Sequence, residues 1–257
     1  MSSASLSPVA PMAPQEPALS EPQRLINVFF SPSRTFTDIR RNARWWVPWL
    51  VLAVFSFAAS ETLDQKIGYE QITENQIRMI PKAQEQMDKL TPEQQQRQIH
   101  VRAVGTRWIF GYLSPLTGLI FLLLCAAALM ATFNFGLGAE VTFKQAMAVT
   151  SYGLLLRAVH AVLLIGAALA NSDPSTFNIS NPVATNPAFF LSFADTPKFL
   201  YSMLSNIDII VIWTYAVLGI GFAVVAKKKV STGIKVMAGW FAFWTLLFAG
   251  IAAIFAG

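Results

Sequence analysis

Three ionisable residues that could perform chemistry lie within long apolar stretches: Arg157, His160 and Asp208. A charged side chain at membrane depth is costly, so such residues usually face a bundle interior or water and mark functional sites. Arg157 and His160 are three residues apart, which places them on one face of a helix. We therefore predict an intramembrane polar set in which Arg157 and Asp208 pair and fix the packing of two helices. The alternative is a polar relay or ion pathway.

No other pattern of catalytic or metal-binding residues is recognisable. The chain has two histidines, His100 and His160, and one cysteine, Cys125. These residues supply neither a multi-histidine metal site nor an intrachain disulfide. The glycines at 136 and 138 follow an apolar helix rather than a strand, which argues against a phosphate-binding loop. We expect no enzyme activity, no catalytic residues, no cofactor and no metal.

The elements that must position the polar set are long apolar helices. The chain has 257 residues, of which 54% are hydrophobic and 13% charged, whereas soluble domains carry about 25% charged residues. The apolar residues cluster in runs near the length of about 20 residues that crosses a bilayer. This pattern predicts an all-α, polytopic membrane protein, a five-transmembrane-helix bundle. The predicted spans are 45–60, 112–135, 146–170, 201–226 and 234–255.

The second and third spans form a helical hairpin around which the chain is organised. Tyr112–Phe135 and Ala146–Ala170 are joined by one short polar turn, too short to be a domain. Within that turn, Thr142 and Gln145 have the spacing of a capping box that starts the third span. The hairpin therefore fixes the relative placement of the other predicted elements.

The segments outside the spans are polar. Residues 1–22 are rich in Ser, Pro and Ala and contain no aromatic residue, so we predict a disordered tail. The rest, 23–257, is predicted to be one membrane domain. Residues 61–107 are rich in Gln and Glu and predict a helical extramembrane insert between spans one and two. One helix of this insert should begin at Pro92, after the capping residue Thr91.

Residues 23–44 combine phenylalanines with arginines just before the first span. This clustering is typical of short amphipathic helices that lie in the headgroup zone of a bilayer. The alternative is a solvated basic linker. The predicted interfacial segment comprises Phe29, Phe30, Arg34, Phe36, Arg40 and Arg41.

Basic residues beside the short connections predict the orientation. The net charge of +5 is concentrated near helix ends, which argues against a nucleic-acid partner. The arginines before the first span, Lys144 in the hairpin turn and the lysines at 227–229 share one side if the N-terminus is cytoplasmic. Basic residues within 61–107 oppose this rule but are interspersed with acids. We expect the inner (cytoplasmic) membrane, with the C-terminus on the opposite side.

Small residues recur at i, i+4 spacing within the spans, which permits close approach of helices. We interpret them as intramolecular packing positions, and the alternative is a homo-oligomer face. The pairs are Ser56 with Ser60, Gly219 with Ala223, and Ala249 with Ala253.

Three features occur together in this chain. They are Phe29-Phe-Ser-Pro-Ser-Arg-Thr-Phe36 before the first span, Phe135-Gly-Leu-Gly with Thr142-Phe-Lys-Gln145 and Tyr152 around the hairpin turn, and the five-span order. Over roughly 24–255 they resemble prokaryotic members of the Yip family of membrane proteins, named in eukaryotes for interaction with Ypt/Rab GTPases. The insert is longer than in the compact eukaryotic pattern, and the eukaryotic Asp-Leu-Tyr-Gly-Pro segment is not found. The resemblance implies the fold and a non-enzymatic membrane role, without catalytic residues.

Together, these observations favour a non-catalytic integral membrane protein that acts as a scaffold, organiser or partner-binding protein. Its expected partners are the lipid bilayer and an unidentified protein, and not nucleic acid. The alternative is a small transporter or channel that uses the polar set. Against transport, five spans cannot divide into the equal halves of an internal repeat.

Cysteine labelling tests the predicted orientation. After replacement of Cys125, single cysteines at Ser7 and Ser231 should react with a membrane-impermeant reagent only in permeabilised cells. Cysteines at Gln86 and Gly257 should react in intact spheroplasts, because the charge rule places them outside. Labelling of position 86 from the cytoplasmic side would overturn the orientation.

Overall fold

The computed structural model describes residues 17–255, and all regular secondary structure in this range is helical. Six helices precede the hairpin: α1 (Glu21–Phe30), α2 (Pro32–Ile39), α3 (Trp46–Lys66), α4 (Tyr69–Met79), α5 (Pro81–Asp88) and α6 (Pro92–Thr106). Six more complete the described chain: α7 (Ser114–Leu137), α8 (Phe143–Leu154), α9 (Arg157–Ala170), α10 (Lys198–Asn206), α11 (Ile209–Val225) and α12 (Val230–Phe255). A π-helical turn, Arg107–Tyr112, joins α6 to α7. The all-α fold is confirmed.

The apolar helices supply four to five candidate membrane spans. α3, α7, α12 and the joined α8–α9 unit, Phe143–Ala170, are each long and apolar enough to cross a bilayer. α10 and α11 pass the same test only as a pair bent by 54°, which makes them a broken span or a re-entrant loop. The protein is therefore an integral membrane protein, and its fifth span depends on this bent pair.

Local sequence signals explain where several helices begin. Thr91 caps α6 and Thr142 caps α8, each through a reciprocal capping box with the glutamine three residues later, as predicted. Gly138 caps the C-terminus of α7, and its φ of 58° is a left-handed conformation that glycine adopts without a Cβ penalty. Asn134 then bridges the turn, because its amide donates to the Val141 carbonyl and its oxygen accepts from the Val141 N–H, both at 2.9 Å.

The N-terminal boundary differs from the predicted disordered tail over 1–22. Residues 1–16 lie outside the described part of the chain. Ser20, however, caps α1 through a capping box with Gln23, and Glu21 and Pro22 are the first residues of the helix. The tail prediction is wrong for these residues because a local cap and tertiary contacts order them despite their polar composition.

The principal core lies at the end of the bundle that carries the hairpin turn. α8 is the central helix, since every residue from Ala146 to Leu154 is buried. α2 packs against α8 and α11, and its Phe36 is 0% exposed. A Cβ at Gly221 of α11 would lie 2.9 Å from the Phe36 ring, so the glycine admits this side chain. The N-terminal helices are therefore part of the bundle.

The predicted insert forms the opposite end of the molecule with the loop that follows α9. Leu63 of α3, Tyr69 and Ile72 of α4 share an apolar cluster with Ala168 and Phe177. The Asn75 amide donates to the carbonyls of Pro174 (2.8 Å) and Phe177 (2.9 Å). The insert is helical, as predicted, and it packs on the rest of the chain.

The closest helix packing joins α11 and α12. A Cβ built at Gly233 would lie 2.0 Å from the Gly219 carbonyl oxygen and 2.8 Å from the Ala223 side chain. Of the predicted small-residue pairs, Gly219 with Ala223 therefore serves packing within the chain.

Replacing Gly233 with alanine should destabilise the protein, because the new methyl group meets backbone that cannot move away. Overpacking of this kind costs about 1–3 kcal/mol. Gly239→Ala is the matched control on the same helix, since a Cβ there meets nothing within 4 Å. Thermal unfolding in detergent should show a lower midpoint for Gly233→Ala only. Equal midpoints for the two variants would contradict the close packing.

Candidate functional site

Asp208 occupies the break between α10 and α11. It is 3% exposed and caps α11, accepting hydrogen bonds from the backbone N–H groups of Ile210 (2.8 Å) and Val211 (3.1 Å). These N–H groups have no partner inside the helix, and the positive end of the helix dipole favours a carboxylate there. The break therefore stabilises a charge that an unbroken apolar helix would leave unsatisfied.

The side-chain partners of Asp208 are His160 and Thr185. His160 Nε2 lies 3.2 Å from Asp208 Oδ2, and the Thr185 hydroxyl donates to the same oxygen. The Ile209 N–H also donates to the Thr185 carbonyl at 3.1 Å, which fastens the loop beneath the break. His160 of α9, the loop and α11 thus meet at one carboxylate.

The predicted ion pair between Arg157 and Asp208 does not form. Within the described range 17–255, His160 is the only ionic partner of Asp208, and the exposed side chain of Arg157 has none. The physical reason is the helix break, which already supplies backbone donors to the carboxylate. Hydropathy is continuous across 201–226, so the sequence pattern did not reveal this break.

A cavity of about 730 Å³, here called the polar chamber, brings the predicted polar set together. Arg157, His160 and Asp208 all line it, as expected for the first two from their helical spacing. Asn181 and Asn186 line it as well and hydrogen-bond each other through their amides, with Asn186 donating at 2.9 Å. The chamber can hydrogen-bond a polar ligand. Among the described residues, no group of three or more His, Cys, Asp or Glu could hold a metal ion.

A second polar cluster fastens the N-terminal helices to the bundle. Its core is the buried ion pair of Arg24 and Asp38, in which Arg24 Nε donates to Asp38 Oδ2 at 2.7 Å. Glu21 Oε1 lies 3.2 Å from both Arg24 and Arg44, and the Tyr152 hydroxyl donates to Glu21 Oε2 at 2.7 Å. We call these five residues the N-terminal clasp. They join α1, α2 and the start of α3 to the central helix α8.

The clasp keeps Arg24 charged although the side chain is 3% exposed. Burial lowers the pKa of Arg24, but the hydrogen bond and charge of Asp38 and the charge of Glu21 outweigh it, so the pKa lies above its ordinary value. Sequence patterns did not predict this cluster, because Glu21 falls within the predicted tail. From the sequence, Arg24 is interpreted only as one of the basic residues that set the orientation in the membrane. The Ser20–Gln23 capping box was the local signal that could have placed Glu21 in a helix.

The predicted interfacial segment divides into two groups. Phe36 is buried in the core, so its predicted place in the headgroup zone is wrong; the glycine on α11 and the surrounding apolar side chains give it a closer-packed environment than lipid. Phe29 is partly buried against the same core, and Phe30 is 82% exposed. Arg34, Arg40 and Arg41 are exposed. For all except Phe36, the interfacial location stays a prediction.

Comparison with known protein families identifies the family to which this chain belongs. The family model of the Yip1 domain matches residues 26–254. The chain belongs to the Yip1 domain family. Searches of curated proteins and of solved structures find no match. The Yip1 domain match begins within α1 and ends within α12, so it includes the second half of α1, all of α2, the insert and every candidate span, whereas Glu21 and Arg24 precede it.

A double-mutant cycle tests the polar set of this Yip1 domain. Asp208→Asn and His160→Ala should show a coupling energy of about 0.5–3 kcal/mol, because the two side chains are in contact. Asp208→Asn and Arg157→Gln should be additive within about 0.5 kcal/mol, because no ion pair joins them. The measurement is stability in detergent. Coupling to Arg157 without coupling to His160 would restore the pairing predicted from sequence.

Proposed function

We propose that this Yip1 domain protein is a non-catalytic membrane scaffold that binds a partner protein through the outward face of α1. The proposal rests on one observation. The N-terminal clasp joins α1 to the membrane helices through ion pairs and a hydrogen bond, while two large apolar side chains of α1 stay exposed. These are Ile26, at 59% exposure, and Phe30, at 82%.

The exposed pair has the geometry of a binding face. Ile26 and Phe30 are four residues apart, so they lie side by side on one surface of α1. Exposed apolar side chains on an anchored helix are typical anchors for a partner. Arg34 of the adjoining helix α2 and Arg40 at its C-cap are exposed, which favours a partner with acidic groups near its apolar contact.

Site-specific photocrosslinking in cells tests this proposal. A photoreactive amino acid at position 30 should yield a protein adduct of one defined mass. The same amino acid at Gln86, an exposed position in α5 of the insert, is the control and should not yield it. Arg34→Glu should weaken the adduct at position 30, because it reverses a charge that attracts an acidic partner.

Two outcomes would contradict the proposal. Adducts with lipid alone at position 30 would show that α1 contacts the bilayer, as the pattern of phenylalanine and arginine predicts for this segment. An identical protein adduct at position 86 would show non-specific capture. The identity of the adduct would also decide whether the partner is a GTPase.

The alternative, a small transporter or channel, is not favoured. The acidic residue it needs, Asp208, is engaged by two backbone N–H groups, Thr185 and His160, and it secures a helix break. A flux assay in proteoliposomes distinguishes the two functions. Substrate-dependent flux that Asp208→Asn abolishes without unfolding the protein would replace the scaffold proposal.

A further inference from the structure

Arg157 is a membrane-embedded cation without an ionic partner in the described chain. It begins α9 midway along the Phe143–Ala170 span, and its side chain is exposed. A charge at that depth is costly unless it reaches water or an opposite charge. The role of this residue therefore depends on what its surroundings can bind.

Three cavities meet at Arg157. One is the polar chamber. The second, here called the α3–α7 cavity, has a volume of about 460 Å³ and is lined by Trp49, Ser114 and Gly118 among others. The third, here called the α7–α12 cavity, has a volume of about 330 Å³ and is lined mainly by apolar side chains, including Leu129 and Trp240.

The walls of the two new cavities hold polar groups without partners. Trp49 and Ser114 line the α3–α7 cavity and Thr150 lines the α7–α12 cavity. Their Nε1, Oγ and Oγ1 atoms are buried and make no hydrogen bond with any described residue. Thr150 is 0% exposed. An indole N–H can only donate, and hydroxyl groups can do so. Among the described residues, no acidic side chain lines either cavity, so the arrangement is complementary to an anion.

The α7–α12 cavity is also open towards lipid. Leu124 and Trp244 line it and are 65% and 38% exposed on the faces of membrane-spanning helices. A ligand that enters sideways from a bilayer can thus place hydrocarbon against Leu129, Trp240 and their neighbours while its polar end reaches Arg157. A free inorganic anion would leave this apolar space unused.

We propose that Arg157 binds the phosphate of an anionic phospholipid whose acyl chain occupies the α7–α12 cavity. The guanidinium supplies charge-assisted hydrogen bonds, and Trp49 Nε1 and Ser114 Oγ supply further donors in the adjoining cavity. Bound lipid would neutralise the membrane-embedded cation and fill the space between α7 and α12. This site is separate from the partner-binding face of α1.

Native mass spectrometry of the purified full chain tests the proposal. Detergent-solubilised protein is mixed with phosphatidylglycerol or phosphatidylcholine, and the lipid-bound fractions are compared. The wild type should prefer phosphatidylglycerol, and Arg157→Gln should reduce that preference about tenfold, as expected for loss of charge-assisted bonds. Arg97→Gln removes the same charge from an exposed position of α6 in the insert and should retain it. Excess inorganic phosphate should not displace the lipid.

A second variant separates ligand binding from folding. Gly118→Leu adds a side chain to the α3–α7 cavity without a backbone clash, since a Cβ there meets nothing within 4 Å. It should weaken phosphatidylglycerol binding while Arg157 is intact. Added phosphatidylglycerol should raise the unfolding midpoint of the wild type more than that of Arg157→Gln or Gly118→Leu. Equal preference in wild type and Arg157→Gln, no preference in the wild type, or displacement by inorganic phosphate would overturn the proposal.

Discussion

The buried ion pair of Arg24 and Asp38 is the interaction on which the N-terminal architecture depends. Neither residue has a strong local reason to be buried, and each charge alone would be expensive in the core. Together, and with Glu21 and Tyr152, they connect two short helices to the central helix α8. Removing Arg24 or Asp38 would leave the other charge buried without its partner, so the clasp acts as a unit. It also holds α2 where Phe36 can pack on Gly221.

The same requirement, that every buried polar group find a partner, shapes the opposite end of the bundle. An apolar chain from α10 to α11 could have continued as one helix, but it bends by 54° at Asp208. Two N–H groups in the first turn of α11, which have no partner within the helix, donate hydrogen bonds to the carboxylate. His160 and Thr185 contact its other oxygen. Irregular backbone at this depth is tolerated because it is buried in protein and lines the polar chamber.

The two ends therefore differ in structure. At the clasp end, α1 is joined to α2 and α8 and leaves Ile26 and Phe30 exposed. The opposite end is closed by the insert and the loop after α9, which Asn75 joins by hydrogen bonds. Between them, Arg157 has no ionic partner among the described residues.

The sequence alone determined the features that arise from local composition. Long apolar runs require helices that cross a membrane, because backbone groups in lipid must be satisfied internally. Cap residues such as Thr91 and Thr142 set helix starts, and the motifs around the hairpin turn indicated the family. For the site, the sequence identified Arg157, His160 and Asp208 as unusual, and their shared cavity agrees with that.

Only the tertiary structure decided which of these residues are partners. Pairing depends on distances between helices, and hydropathy records neither a bend within an apolar run nor the loop residue Thr185 beneath it. The burial of Arg24 and Phe36 likewise depends on α8 and α11, which are more than 100 residues away in the chain. A local pattern of arginine and phenylalanine looks the same whether its apolar face meets lipid or protein, and the clasp is what places it against protein.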